Sequence, residues 1–298
     1  MIERFMENVL SSRLTKVKQN SIADIMYALA VLLIIVSAVS GSVTPRIVGG
    51  QNAEDHKYPY QVLILIKNFP SCGGSIINDR FILTAAHCIY QEIASDFTIV
   101  AGTTDLTQKR AIYAVDMLIM NENYNPLTYN DDIGLIRLKT NLTYNIYIQP
   151  IALGSKYDVT PGEIAVVTGW GRLGASNSVI PHTLQEINVT VIDQESCAKS
   201  YLRLSKNSIC TFEAENKGLC MGDSGGPLVV KGEQVGIVSH GYPCAIGEPD
   251  VYTRVYPYRD WIANVTKTWY TRSQANTNTW TIWLLAASVV LTRLCSPA

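Results

Sequence analysis

A serine set among glycines is the segment of this chain best suited to nucleophilic chemistry. Residues 222–227 read Gly-Asp-Ser-Gly-Gly-Pro and directly precede the apolar run 228–230. The two glycines after Ser224 leave its hydroxyl uncrowded, and Gly222 allows a backbone bend that points the amides of Gly222 and Ser224 at one developing oxyanion. The alternative is an ordinary glycine-rich turn, so the interpretation requires partner residues elsewhere in the chain.

Two further residues have the chemistry to activate a serine. A serine hydroxyl needs a base within hydrogen-bond reach and an acid that fixes the tautomer of that base. Of the four histidines, His87 stands apart because it follows two alanines at the end of an apolar run and precedes a cysteine. Asp132 heads the run 133–138, where a carboxylate can be buried at a strand entrance. Taken singly, His87 also fits a core histidine and Asp132 a turn residue.

The segments that must position these residues read as β-strands. From Ile47 to about Thr268, short β-branched and aromatic runs alternate with Gly, Pro, Asn and Asp, which predicts an all-β unit of the barrel or sandwich type. After Pro257, Trp261 and Ile262 begin a helical repeat, which predicts a terminal amphipathic helix. The clearest strand runs are 60–67, 75–84, 97–101, 133–138, 164–168, 184–192, 227–230 and 234–239.

Composition limits the class of protein. The 298 residues are 47% hydrophobic, which is enough for a substantial core in one large or two small domains. The net charge is -1, and no dense block of Lys and Arg is present. A nucleic-acid partner is therefore not expected.

The N-terminal region reads as a targeting segment. Residues 25–39 form an uncharged apolar run that follows several basic residues and precedes small ones. This pattern predicts an n-region and signal peptide over 1–40, cleaved near Ser40 or Gly41, and hence secretion to the extracellular space. An uncleaved signal anchor and initiation at Met26 are the alternatives.

The cysteines favour disulfide bonds over a metal site. The seven lie at positions 72, 88, 197, 210, 220, 244 and 295, without a C-x-x-C pair. Free buried thiols in a cytosolic protein are the alternative, and the predicted secretion argues against them. Spacing alone leaves fifteen pairings of six cysteines open.

Taken together, these motifs resemble the chymotrypsin-like serine proteases. The resemblance covers about residues 46–268 and implies two six-stranded antiparallel β-barrels with a C-terminal helix, a catalytic domain over 47–268, and a serine endopeptidase without cofactor or metal. The residues that carry it are His87, Asp132 and Ser224 in that chain order, Ile-Val-Gly-Gly at 47–50, Thr-Gly-Trp-Gly at 168–171 and Asp-Val-Tyr-Thr-Arg-Val at 250–255.

The resemblance implies a role for each site residue. Ser224 attacks the scissile carbonyl, His87 transfers its proton to the leaving amine, and Asp132 orients His87. The amides of Gly222 and Ser224 form the oxyanion hole, and Ser239 supports Asp132. A catalytically inactive homologue that acts as a binding or regulatory module is the alternative function.

The resemblance also implies the disulfide pairing and the route of activation. The implied pairs are Cys72 with Cys88, Cys197 with Cys210 and Cys220 with Cys244, which leaves Cys295 over. A trypsin-like protease would cut after Arg46 and remove the propeptide 41–46. The new α-amino group of Ile47 would then pair with the buried carboxylate of Asp223.

The substrate pocket departs from that of trypsin. Gly218 stands where trypsins carry an Asp, and Asp250 stands where trypsins and chymotrypsins usually carry Gly, an arrangement similar to that of the arthropod brachyurins. With Gly241 at the entrance and Leu219 and Met221 adding apolar surface, we expect cleavage after large apolar or aromatic residues, with some tolerance of Arg and Lys. The alternative is that a neighbour neutralises Asp250 and cleavage is simply chymotrypsin-like.

The peripheral features give four further expectations. Residues 102–106 lack the glutamates of the calcium loop in this family, so no calcium requirement is expected. Sequons at Asn141, Asn188 and Asn264 predict N-glycosylation. The tail 269–298 carries an apolar run that either anchors the protein to a membrane or simply extends a soluble enzyme. The expected partners are protein and peptide substrates, the activating protease and protein inhibitors.

Overall fold

The computed structural model describes residues 48–269, apart from 109–110, 157–158, 175–178 and 243. The chain divides into two units, 1–44 and 45–298, and all described residues belong to the second. The predicted signal peptide, the propeptide with Arg46, the new terminus at Ile47, and the tail with Cys295 lie outside the described residues.

The first half of the described chain forms a closed antiparallel barrel. Its strands are β2 (Gln61–Ile66), β3 (Phe69–Ile76), β4 (Phe81–Thr84), β5 (Phe97–Ala101), β6 (Ala111–Met120) and β7 (Gly134–Leu138). They follow the order β2-β3-β4-β7-β6-β5, and β5 pairs with β2 to close the barrel.

The second half forms another closed six-stranded ring. Its strands are β9 (Ile164–Gly169), β10 (Gln185–Ile192), β11 (Ser208–Phe212), β12 (Pro227–Val230), β13 (Glu233–Gly241) and β14 (Asp250–Arg254). Their order is β9-β10-β11-β14-β13-β12, and β12 pairs back to β9. Two short strands lie outside the ring: β1 (Gln51–Asn52) pairs with β10, and β8 (Ala152–Leu153) pairs in parallel with β13.

Local turn chemistry and core packing explain both barrels. Lys67 and Asn68 join β2 to β3 with positive φ angles of 51° and 67°, and Lys231 and Gly232 join β12 to β13 in the same way. Such turns match the right-handed twist of antiparallel strands. Fully buried side chains fill the first barrel, among them Val62, Ile64, Ile76, Phe81, Ile82 and Ile99; the second is filled by Ala165, Val167, Leu228, Val238 and Tyr252.

Two helices complete the unit. The helix α1 (Gln194–Ala198) begins at Asp193, whose side chain accepts a hydrogen bond from the Ser196 amide at 2.7 Å. The helix α2 covers 259–269 within the described residues, and Ile262 packs against the core of the first barrel. The guanidinium of Arg137 on β7 lies 4.2 Å from the ring centroid of Trp269.

The predicted fold class, two six-stranded barrels with a C-terminal helix, is confirmed. Several strand boundaries, however, differ from those that the apolar runs of the sequence predict. The run 75–84 is two strands, because the Asn78 side chain accepts hydrogen bonds from the amides of Arg80 and Phe81 and turns the chain. The strands β6, β11 and β14, and most of β3, were not among the clear runs. Within the described residues, no helix is long and apolar enough to cross a membrane.

Candidate active site

The residues of the predicted triad come from three separate places in the fold. His87 lies on a single 3-10 turn, Ala86–Cys88, directly after β4. Asp132 precedes β7 of the same barrel, and Ser224 precedes β12 of the other. His87 and Ser224 line one cleft, together with Tyr129, Leu219, Cys220, Met221, Val238, Ser239, His240, Gly241, Tyr242, Cys244 and Asp250.

Asp132 holds His87 through two hydrogen bonds. Its Oδ2 lies 2.8 Å from Nδ1 of His87, and its Oδ1 accepts from the His87 backbone amide at 2.8 Å. The Asp132 side chain is fully buried, whereas His87 is partly exposed to the cleft. A carboxylate that binds both the ring and the backbone of a histidine fixes the orientation of that ring.

Second-barrel residues hold Asp132 from the other side. Ser239 on β13 donates from Oγ to Asp132 Oδ2 at 2.6 Å, and Thr253 on β14 donates from Oγ1 to the Asp132 carbonyl at 2.9 Å. Ser239 was predicted, but Thr253 was missed because no local pattern links a threonine in the middle of a strand to a carbonyl 121 residues away.

The Ser224 side chain shares the cleft with His87 without being bonded to it. Among the hydrogen bonds of the described residues, none joins Ser224 Oγ to His87, and Nε2 of His87 lies 3.7 Å from Cys88 Sγ. Catalytic hydrogen bonds of this kind are often long in the absence of substrate.

The glycine-rich loop keeps two amides free beside Ser224. Within the described residues, the amides of Gly222 and Ser224 donate to no backbone carbonyl. Gly222 has a φ of 101° and Gly225 a φ of 78°, both in the region that favours glycine. A Cβ on Gly225 would also overlap Thr84 Oγ1 and Gly73 O. The loop therefore requires its glycines, and its unpaired amides could stabilise an oxyanion.

Asp223 is a sealed carboxylate beneath this loop. It is fully buried, and its two oxygens accept hydrogen bonds from the amides of Gly171 at 2.9 Å and Cys220 at 3.0 Å. Burial raises the pKa of Asp223 to about 6, although the two amides act to lower it. A Cβ on Gly169 or Gly171 would overlap this carboxylate, which explains both glycines of the segment Thr-Gly-Trp-Gly.

The segment that follows the predicted activation junction lies beside the pocket loop. Val48 is buried against Cys220, Cys244 and Ala245, and its carbonyl accepts from the Gly218 amide at 3.0 Å. A Cβ on Gly49 would lie 2.6 Å from Asn216 O, and Gly49 has a φ of 80°. These contacts tie residues 48 and 49 to the loop that precedes Ser224.

The carboxylate of Asp250 occupies the space beside Gly218 that a side chain at position 218 would fill. A Cβ on Gly218 would lie 2.7 Å from Asp250 Oδ2, and that oxygen accepts from the Leu219 amide at 3.0 Å. Burial raises the pKa of Asp250 to about 7; the Leu219 amide acts to lower it, and the charge of Asp223 adds to the rise. The charge thus sits next to Gly218, although it comes from β14.

The other predicted pocket residues surround Asp250. A Cβ on Gly241 would lie 3.0 Å from Asp250 Oδ1. Leu219 is buried, whereas Met221 is 50% exposed at the cleft. Tyr201 was missed by sequence reasoning; its hydroxyl donates to the Pro249 carbonyl at 2.5 Å, next to Asp250. No pattern in the sequence points to it.

The three disulfides are Cys72–Cys88, Cys197–Cys210 and Cys220–Cys244, the same pairs that the resemblance implies. The first adjoins His87, and the third joins two segments that line the cleft. Ligand atoms of Cys72, His87 and Cys88 lie close together, but both sulfurs are used by the disulfide, so this cluster is no metal site. The three sequon asparagines, Asn141, Asn188 and Asn264, are exposed.

Comparison with known proteins identifies the family. The family model described as Trypsin matches residues 47–262. Chymotrypsin-2 of Vespa crabro is 45% identical over 217 residues, which cover 72% of this chain and 98% of that protein. Trypsin beta of Drosophila erecta is 40% identical over 223 residues, which cover 74% of this chain and 88% of that protein. This chain therefore belongs to the trypsin family and is a serine endopeptidase of the chymotrypsin fold.

Proposed function

We propose that this endopeptidase is secreted as a zymogen and cleaves peptide bonds through Ser224, His87 and Asp132. The observation that carries the proposal is the fully buried Asp132 carboxylate, which binds His87 by two hydrogen bonds of 2.8 Å beside the cleft that Ser224 lines. Three disulfides support an oxidising compartment.

In the proposed reaction, Ser224 Oγ attacks the scissile carbonyl carbon while His87 Nε2 takes the hydroxyl proton. The His87 imidazolium is stabilised by Asp132 and then gives the proton to the leaving amine. Water releases the acyl group from Ser224 by the same sequence of proton transfers. The free amides of Gly222 and Ser224 support the oxyanion, and losing one such donor costs about 3 kcal/mol of transition-state stabilisation.

Activation would follow cleavage after Arg46. The new ammonium group at Ile47 would pair with Asp223, whose sealed carboxylate has two amide donors but no ion pair among the described residues. The docked positions of Val48 and Gly49 beside the pocket loop support this route. Because Asp223 lies between Gly222 and Ser224, an ion pair there acts directly on the oxyanion-hole amides.

Substrate choice would follow from Asp250. A buried carboxylate with one amide donor is costly when it is ionised, and a basic substrate side chain relieves that cost. When the carboxyl is protonated, the pocket has no charge at this position, and Leu219 and Val238 give it apolar surface. We therefore propose cleavage after large apolar or aromatic residues and also after Arg and Lys, in protein and peptide substrates.

An organophosphate probe tests the triad. The full chain, treated with trypsin to cut after Arg46, should be labelled once per molecule, whereas Ser224→Ala should not be labelled. The Arg46→Gln precursor should stay unlabelled after the same treatment. Failure of the cut wild type to react would overturn the triad, and full reactivity of Arg46→Gln would overturn only the zymogen.

A further inference from the structure

A second histidine is connected to the triad carboxylate by a chain of hydrogen bonds. Asp132 Oδ2 lies 2.8 Å from His87 Nδ1 and accepts from Ser239 Oγ at 2.6 Å, and Ser239 Oγ lies 3.0 Å from Nδ1 of His240. The Ser239 hydroxyl has one proton and gives it to Asp132, so it can only accept from His240. The geometry therefore requires a proton on Nδ1 of His240.

Two tyrosines fix the plane of the His240 ring. The Tyr129 ring lies 5.1 Å away, tilted by 30°, and the Tyr201 ring lies 5.6 Å away at 89°. Tyr129 also meets the His87 ring edge-on at 5.7 Å. Both imidazoles therefore pack on one tyrosine while they are joined through Ser239 and Asp132.

The groups around His240 favour its neutral form at neutral pH. Burial lowers the pKa of His240, His87 acts in the same direction, and Asp132 opposes them. A neutral ring with its proton on Nδ1 suits donation to Ser239. Among the described residues, the titratable groups that face the His240 ring are Asp132, His87, Tyr129 and Tyr201. Asp250 lies further along the same cleft.

We propose that His240 is a positioning residue for the triad. Its Nδ1–H occupies the acceptor site of the Ser239 hydroxyl, which directs the Ser239 proton to Asp132 Oδ2. Asp132 is thereby held in the orientation that binds and stabilises the His87 imidazolium. This inference rests on the proposed catalytic roles of Asp132 and His87.

Two substitutions separate the nitrogen of His240 from its ring. His240→Phe keeps an aromatic ring beside Tyr129 and Tyr201 but cannot donate to Ser239. His240→Asn offers an amide at the position of Nδ1 but loses the ring contacts. We expect His240→Phe to lower kcat about three- to tenfold with little change in KM, since a neutral hydrogen bond of this kind is worth about that factor. His240→Asn should instead raise KM and keep kcat within about twofold.

The pH profile gives a second readout. Both substitutions remove an imidazole that becomes cationic in acid, and they therefore move the acid limb of kcat/KM in the same direction. Only His240→Phe also loses the donor that holds Asp132, so the imidazolium of the catalytic base is less well stabilised and the rate is retained to lower pH. The acid limb should therefore lie at lower pH in His240→Phe than in His240→Asn, whereas a purely structural role for His240 would leave the two limbs at the same pH.

A double-mutant cycle decides whether His240 acts through Ser239. If it does, His240→Phe should have no further effect on kcat in a Ser239→Ala background. Fully additive losses, or an unchanged kcat in His240→Phe alone, would overturn the inference.

Should His240→Phe fail to fold, His240→Trp replaces it, because the tryptophan ring has carbon at both δ positions. Each rate is divided by the concentration of active sites, measured by organophosphate labelling. A wild-type enzyme that is not labelled would overturn the triad itself. A wild-type enzyme that is labelled, together with His240 variants of unchanged kcat, would overturn only this inference.

Discussion

Two buried carboxylates near the cleft, Asp223 and Asp250, differ in how their charge is balanced. Asp223 accepts hydrogen bonds from two backbone amides, and the pKa of Asp223 is raised to about 6. Within the described part of the chain, Asp250 accepts a hydrogen bond from the Leu219 amide alone, and the pKa of Asp250 is raised to about 7. Among the described residues, neither carboxylate forms an ion pair with a basic side chain.

The surroundings of the two carboxylates indicate where a cation could come from. Asp223 is fully buried and enclosed by backbone at Gly169 and Gly171, so only a group of the chain itself can reach it. Asp250 is 7% exposed and lines the cleft, so a substrate side chain can reach it. One carboxylate is thus suited to activation and the other to specificity.

Removing the charge of Asp223 should have the largest effect of all. Asp223→Asn keeps the shape of the side chain but leaves the proposed Ile47 ammonium unpaired. Breaking a buried ion pair costs about 3 kcal/mol or more, so kcat/KM should fall at least about a hundredfold for every substrate. The measurement is kcat/KM after trypsin treatment, on one aromatic and one basic peptide substrate.

The matched control is Asp260→Asn on α2, because Asp260 is an exposed carboxylate outside the cleft. It should keep wild-type kcat/KM for both substrates. An Asp223→Asn enzyme that retains more than a tenth of wild-type activity would show that the oxyanion hole forms without the ion pair.

Asp250→Asn should act on one class of substrate only. The substitution removes the negative charge that would bind Arg and Lys, and charge-assisted hydrogen bonds contribute about 1.5 to 3 kcal/mol each. We expect kcat/KM for basic residues to fall about ten- to a hundredfold. Cleavage after aromatic residues should change less than about threefold, because the apolar side chains of the pocket, Leu219, Met221 and Val238, are kept. Equal losses for both classes in peptide-library profiling would contradict this division of roles.

The pH dependence of specificity should follow the ionisation of Asp250. The pKa of Asp250 is raised to about 7, so the carboxyl is mostly protonated and neutral at pH 6 and mostly anionic at pH 8. The ratio of basic to aromatic cleavage should therefore rise about tenfold between those values. Because ionisations that affect both rates equally cancel from the ratio, the ratio reports on Asp250. In Asp250→Asn the ratio should be flat; a sloping ratio in that variant would assign the titration to another group.

The sequence was most informative where a residue type is required by chemistry. Ser224, His87 and Asp132 could be chosen because nucleophile, base and acid are distinct residue types, and the structure brings them to one region. The fold class followed from the repeated short apolar runs. The strand β14 was missed because it is buried on both faces yet includes Asp250 and Thr253, polar residues whose hydrogen-bond partners, the Leu219 amide and the Asp132 carbonyl, lie in distant loops.

The interactions between distant segments could not be predicted in this way. The resemblance indicated that Ser239 supports Asp132, but no local pattern shows that His240 is thereby linked to the same carboxylate, because the contact between Ser239 and Asp132 depends on a strand of one barrel meeting a loop of the other. The meeting of Asp250 with Gly218 is of the same kind, although the unusual pair of residues was visible in the sequence. Residue identity thus indicated the chemistry, and the packing of the two barrels determined which groups act together.

The smallest expected effect concerns the space beside Asp250. A methyl group on Gly241 would lie 3.0 Å from Asp250 Oδ1 and 3.7 Å from the Tyr201 hydroxyl, so Gly241→Ala should displace the carboxylate by a few tenths of an ångström and narrow the entrance. We expect KM to rise about two- to fivefold, more for basic than for aromatic residues, because only the former depend on the position of the carboxylate. Gly174→Ala is the control, since its methyl group meets nothing within 4 Å. An equal rise in KM for both classes of substrate would mean that the methyl group only narrows the entrance of the pocket. Asp250 would then tolerate a displacement that Asp223, whose two oxygens each accept a hydrogen bond from a backbone amide, could not.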